Sequence, residues 1–167
     1  SVSHRQGVIV EVSRPGVAVN LDARDLTPPF TAGALRGGSH VHVWDSQGEW
    51  VSFTYNDALY ETEIRDVGVS VPTHSVRVNQ RHPRSHDGTC FSVLVSRTTA
   101  NPKPGSDEIK RAFEEAWVGT NGYARSDGTR QRHALAFQGH VVTATGETLS
   151  EVFIADLPDD LTQPGDG

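Results

Sequence analysis

The sequence has a single cysteine, Cys90, among 167 residues, which excludes an internal disulfide and favours a reducing compartment. Long apolar runs are also missing: none approaches the roughly 18 residues that a membrane helix needs. The opening Ser1-Val2-Ser3-His4-Arg5 lacks the apolar core of a signal peptide. These features predict a cytoplasmic protein that does not engage membranes. Basic residues are outnumbered, 15 against 21 acidic, for a net charge of −6, which argues against generic nucleic-acid binding. There is no Gly-x-Ser-x-Gly, and Gly37-Gly38 is too short for a phosphate-binding glycine loop and opens no helix. Serine-hydrolase, P-loop and Rossmann chemistry have no motif here.

What is present is strand-forming. Valine outnumbers leucine twenty to nine, and β-branched residues suit a pleated sheet. Gly7–Val12 and Val17–Leu21 flank Ser13-Arg14-Pro15-Gly16, a hairpin signal in which proline presets one turn angle and glycine supplies the other. Gly37–Trp44 and Glu49–Tyr55 flank Asp45-Ser46-Gln47-Gly48 as a second hairpin. Further strands are predicted at 60–65, 67–71, 75–78, 90–96, 133–137, 140–144 and 149–154. Over 106–118, Ser106 reads as an N-cap followed by Asp107 and Glu108. Ile109, Ala112, Phe113, Ala116 and Trp117 then recur at helical spacing until Gly119. The expectation is a mainly β fold: an antiparallel β-barrel or β-sandwich of about nine or ten strands carrying one amphipathic α-helix. Residues 1–156 would form one domain, and 157–167 a flexible tail rich in Pro, Gly and Asp.

The leading candidate site is the second hairpin. In a regular strand His40 and His42 project from one side of the sheet, and neutral imidazole is the commonest metal ligand. A two- or four-residue loop sets His40, His42 and Trp44 beside Val51, Phe53 and Tyr55; a three-residue loop sets the histidines beside Trp50, Ser52 and Thr54. His40, His42 and Glu49 are therefore candidate catalytic groups. His40, His42 and His140 are candidate ligands of a divalent transition metal, with His74 or His133 as other sources of a third nitrogen. Trp44, Phe53 and Tyr55 would line a small-molecule pocket. The arrangement is loosely similar to the cupin pattern of a glycine, a His-x-His pair, a nearby glutamate and a later histidine on a β-barrel. Glu49 falls later after His42 than that pattern has it. The plain alternative is that these side chains are core or solvated surface.

A second constellation runs from Arg77 to Gly88 and includes Arg81, His82, Arg84 and His86, with no acidic residue before Asp87. Arg125–His133 echoes it. Arginine forks bind phosphate or carboxylate in bidentate fashion, so such loops could hold an anionic ligand. Otherwise they are polar loops paired with the abundant acids. Cys90 opens an apolar strand and reads as core. Two functions follow. One is a small-molecule enzyme or ligand-binding β-barrel with a His/aromatic-lined pocket, with metal dependence as one form of it. The other is a non-catalytic interaction module for an acidic or phosphate-bearing partner, held through the Arg/His loops.

Overall fold

A computed structural model describes residues 5–58, 64–72 and 75–162. These contain thirteen β-strands and no helix. The first hairpin is as read from the sequence: β1 (Val8–Val10) pairs antiparallel with β2 (Ala18–Asn20). Two very short strands follow, β3 (Ala23–Arg24) and β4 (Ala34–Leu35), paired in parallel. Then come β5 (Gly38–Trp44), β6 (Val51–Asn56), β7 (Arg65–Val71) and β8 (Phe91–Leu94), each antiparallel to the next. This four-stranded meander is the first main sheet. The second is built from β9 (Ile109–Trp117), β12 (His133–Val142) and β13 (Thr148–Leu157), with β12 in the middle. A side hairpin, β10 (Tyr123–Ala124) with β11 (Arg130–Gln131), is inserted between β9 and β12. One parallel pair, Arg65 with Arg111, links the two sheets along the strand order.

Period-two alternation explains how the sheets stack. Val67, Val69 and Val71 project from one face of β7 and meet Ile109, Ala112, Leu135, Phe137, Val141 and Leu157 of the second sheet. The opposite face of the first sheet presents Val51, Phe53 and Tyr55. These pack on Leu21, Leu35 and Cys90, so the segment before β5 covers that face. Mainly β is thus borne out, but the sheets do not close into a barrel. The strand count also exceeds the nine or ten expected, because several strands are only two or three residues long. The predicted strand at 60–65 and a third-ligand candidate, His74, fall largely or wholly outside the described residues.

The helix predicted over 106–118 is a strand, and the reason is specific. β9 carries two irregularities against β12, one between His140 and Val141 and one between Ala136 and Gln138. At the second, Glu114 takes a φ of +53°. Each adds a residue to β9 and resets its alternation. The residues facing the core are therefore Ile109, Ala112, Glu115 and Trp117, a spacing of three, three and two that imitates a helical stripe. The apparent N-cap has a different use: Ser106 Oγ donates to the Lys103 carbonyl and accepts from the Glu108 amide at 3.3 Å. Ser106 closes a turn.

At the other end, Leu157 is the last residue of β13 and is buried, and Leu161 packs against the core.

Candidate functional site

The hairpin predicted to carry the site is bent by a β-bulge. Near the turn the register has the parity of an even-numbered loop, Trp44 opposite Val51 and Val43 opposite Ser52. Beyond the bulge it is the other register, with His40 opposite Thr54 and Ser39 opposite Tyr55. Val41, at φ +56°, is where the strand changes phase. The consequence concerns the two histidines. Paired residues share a face, so His40 lies on the face of Thr54 and bonds Asn56 Oδ1 through Nε2 at 3.1 Å. His42 lies on the face of Phe53, its ring 6.3 Å from the Phe53 ring, with Nε2 3.2 Å from Ser39 Oγ. The two imidazoles thus go to opposite sides of the sheet. His140 is on β12, edge-on to Phe113 at 4.8 Å. Among the described residues no group of three or more His, Cys, Asp or Glu is arranged to hold a metal ion.

The remaining residues of that candidate set are scattered by burial. Phe53 and Tyr55 are core, and the Tyr55 hydroxyl accepts from the Arg36 amide at 3.2 Å. Trp44 is 46% exposed. The amide of Glu49 donates to Asp45 Oδ1 at 2.8 Å, closing the hairpin turn. Cys90 is buried, and burial pushes its thiol above the ordinary range, as suits a core residue.

His42 does join a polar chain. Ser39 Oγ, its partner, donates to Asp22 Oδ1 at 3.1 Å, and the Gly7 amide donates to the same oxygen at 2.7 Å. The order imidazole–hydroxyl–carboxylate differs from a catalytic triad, in which the imidazole stands between hydroxyl and carboxylate. Ser39 is also buried. The chain fixes positions; it does not activate a nucleophile. Burial lowers the affinity of His42 and of His40 for protons, which keeps both neutral at physiological pH.

Asp22 leads on to a basic pocket that the sequence half anticipated. Its Oδ2 is 3.9 Å from the Arg24 guanidinium, and both side chains are buried. Arg24 exchanges two backbone hydrogen bonds with His86, N to O at 2.9 Å and O to N at 3.0 Å. This narrow antiparallel bridge puts the Arg24 and His86 side chains next to each other. With Gln6, Pro83, Arg84 and Ser85 they line an open pocket of about 390 Å³ with no acidic residue in its wall. Burial presses the Arg24 guanidinium below the usual arginine range; Asp22 opposes this and the nearby Arg84 charge adds to it. Arg24 Nε and His86 Nε2 are both buried without a hydrogen-bond partner among the described residues.

The rest of the arginine loop is occupied elsewhere. Arg81 donates to the carbonyls of Thr27, Pro28 and Pro29, which ties the arm before β4 to the loop. His82 Nδ1 accepts from the Arg84 amide at 3.1 Å, a local turn. Arg77 pairs with Asp87 at 2.9 Å. In the second basic loop, Arg125 pairs with Asp156 at 2.9 Å and Arg130 donates to the Asn121 carbonyl. The first loop therefore meets the segment around Arg24, which sequence reading had passed over. Its sequence signal is only an alternation of acid and base, Asp22-Ala23-Arg24-Asp25.

The fold and pocket define a mainly β protein of stacked antiparallel sheets with a basic recess on one side. The chain belongs to the family described as "Protein of unknown function (DUF3748)", whose model matches residues 1–86 and so spans every residue lining that recess. It is 50% identical over 162 residues to the "Uncharacterized protein YidR" of Escherichia coli (strain K12). That match covers 94% of this chain and 35% of the relative, so the chain spans about a third of the relative's length. No solved structure matches the chain. Among the described residues no helix is long and apolar enough to cross a membrane.

Proposed function

We propose that the chain is a binding module for a small phosphate- or carboxylate-bearing ligand, held in the pocket of Arg24, Arg84 and His86. The observation that carries this reading is the lining of the pocket: two guanidiniums and an imidazole, and no carboxylate. Arg24 and Arg84 both bring positive charge to this recess, and an anion among them would be favoured by it. Arg24 cannot turn away, because its backbone is clamped to His86 and its guanidinium is buried against Asp22 and the Arg5 carbonyl. Arg24 thus fixes positive charge at the base of the recess, and the exposed Arg84 brings a guanidinium fork of the kind that binds an oxyanion in bidentate fashion. His86, beside Arg24, can add one hydrogen bond, and Gln6 offers a neutral polar contact. Cys90, a buried free thiol, fits a reducing, cytoplasmic setting.

Calorimetric titration with inorganic phosphate and with citrate tests the proposal. Saturable binding of at least one of them is expected, weakening with added salt. Arg84→Glu should reduce affinity at least about tenfold, the equivalent of about 1.4 kcal/mol, while leaving the melting temperature nearly unchanged. Failure of both anions to bind, or equal affinity in the variant, would sink it.

A further inference from the structure

Each face of the first sheet is covered, one by the second sheet and the other by the segment before β5. Among the described residues the second sheet is covered on one face only. Its inward residues, Leu135, Phe137, Val141 and Ala155, build the core. The pairing register fixes what stands on its other side: Ala136 is opposite Ile154 and Ala116, and Gln138 is opposite Val152 and Phe113. Val152 is 73% exposed and Ile154 59% exposed. β13 also ends the strand order, so its far edge carries no paired strand among the described residues. A ten-residue edge strand with β-branched side chains open to water is what soluble proteins ordinarily blunt or cover.

We infer that this face receives another antiparallel sheet, contributed by the longer polypeptide that the relative represents. Two observations select that occupant. The chain already stacks meanders face to face, and the contact between its two sheets is the pattern the bare face would repeat. The chain also accounts for only 35% of the relative, and one meander such as β5–β8 takes only the stretch Gly38–Leu94, so the remainder is long enough for several more. Stacked four-stranded meanders protect faces and edges by radial repetition, as propeller blades do. Val152, Ile154, Ala136, Ala116 and Phe113 would then be buried contacts between neighbouring sheets.

Amide hydrogen exchange read by mass spectrometry, on this 167-residue chain and on the full-length Escherichia coli relative, tests the inference. Peptides spanning 148–156, whose strand is bonded to β12 on one edge, should exchange at least about tenfold faster in the short chain at low concentration than the matching peptides of the relative. Equal rates in the two proteins would overturn the inference. Protection that rises with concentration of the short chain and disappears in a V152K/I154K double variant would also overturn it, in favour of a second copy as the occupant. Both residues are solvent-exposed, so that variant should keep the melting temperature of the parent chain.

Discussion

Asp22 and Arg24 share one buried environment, their charged groups 3.9 Å apart, and each is bound to a different part of the chain. Asp22 gathers Gly7 and Ser39; Arg24 holds Arg5 and the backbone of His86. Removing one buried partner leaves the other charge uncompensated, a larger loss than the worth of the pair itself. Asp22→Ala should therefore cost about 3–5 kcal/mol, read by urea denaturation. A loss below about 1 kcal/mol would mean that solvent reaches Arg24 and that the pair behaves as a surface one.

Gly88 is the point at which the arginine loop touches the Asp22–Arg24 segment. A Cβ added there would lie 2.1 Å from the Ala23 nitrogen and 2.4 Å from the Asp22 carbonyl carbon. These are backbone atoms and cannot swing aside. Gly88 also exchanges backbone hydrogen bonds with Val76 at 2.9 and 3.1 Å. Gly88→Ala should destabilise the protein by about 1–3 kcal/mol. It should also weaken phosphate binding, because His86 would be pushed away from Arg24. Normal affinity in a destabilised variant would separate the loop from the pocket.

Thr54 Oγ1 donates to Glu115 Oε2 at 2.7 Å across the two sheets, while Glu115 Oε1 is buried without a partner among the described residues. Burial raises the Glu115 pKa above its ordinary value of 4.5. The folded state then holds a proton that the unfolded state has released, so stability is greatest below pH 4.5 and declines as pH rises through the folded value. Glu115→Gln removes the titration. The variant should lose that decline and gain stability at pH 7 relative to pH 4. Thermal melts at the two pH values decide it; a variant weakened most at pH 7 contradicts the account.

His40 and His42 give the opposite slope. Burial depresses both below the ordinary 6.5, so the unfolded chain takes up protons that the folded chain refuses. Stability from this source is complete above pH 6.5 and is lost as pH falls through the depressed values. The melting temperature should drop across that window, and the double variant H40Q/H42Q should show a smaller drop. An unchanged pH profile in the double variant would assign the acid limb to other groups.

Strand content and the first hairpin were legible in the sequence because they depend on local signals: β-branched runs and a Pro-Gly turn. The stacking order was not, since it depends on which faces meet over long separations. Two errors share one cause. The spacing of Ile109, Ala112, Phe113, Ala116 and Trp117 looked helical, and His40 and His42 looked like neighbours on one face. Each inference assumed an uninterrupted period, and each segment contains a bulge at a residue with positive φ, Glu114 in one and Val41 in the other. Neither residue is glycine, so nothing in the sequence marked the break. The basic pocket was half legible: Arg84 and His86 stood out in their loop, while Arg24 reached them only through the bridge to His86.

Those two bulges make a direct prediction. A left-handed backbone conformation costs an L-residue roughly 1–2 kcal/mol relative to the right-handed one, and a β-branched side chain is among the least tolerant. Val41 sits at φ +56° and is 56% exposed, so it gains little from burial in exchange. Val41→Gly should therefore stabilise the protein, by about 0.5–1 kcal/mol after the greater unfolded-chain entropy of glycine is subtracted. Glu114→Gly, at φ +53°, also surrenders the Gln138 hydrogen bond and should gain less. Denaturant titration of the parent and the two variants measures both. If Val41→Gly instead lowers the unfolding midpoint, residue 41 is in ordinary extended backbone. His40 and His42 would then return to one face of the hairpin, and the case for a joint His40/His42 site would reopen.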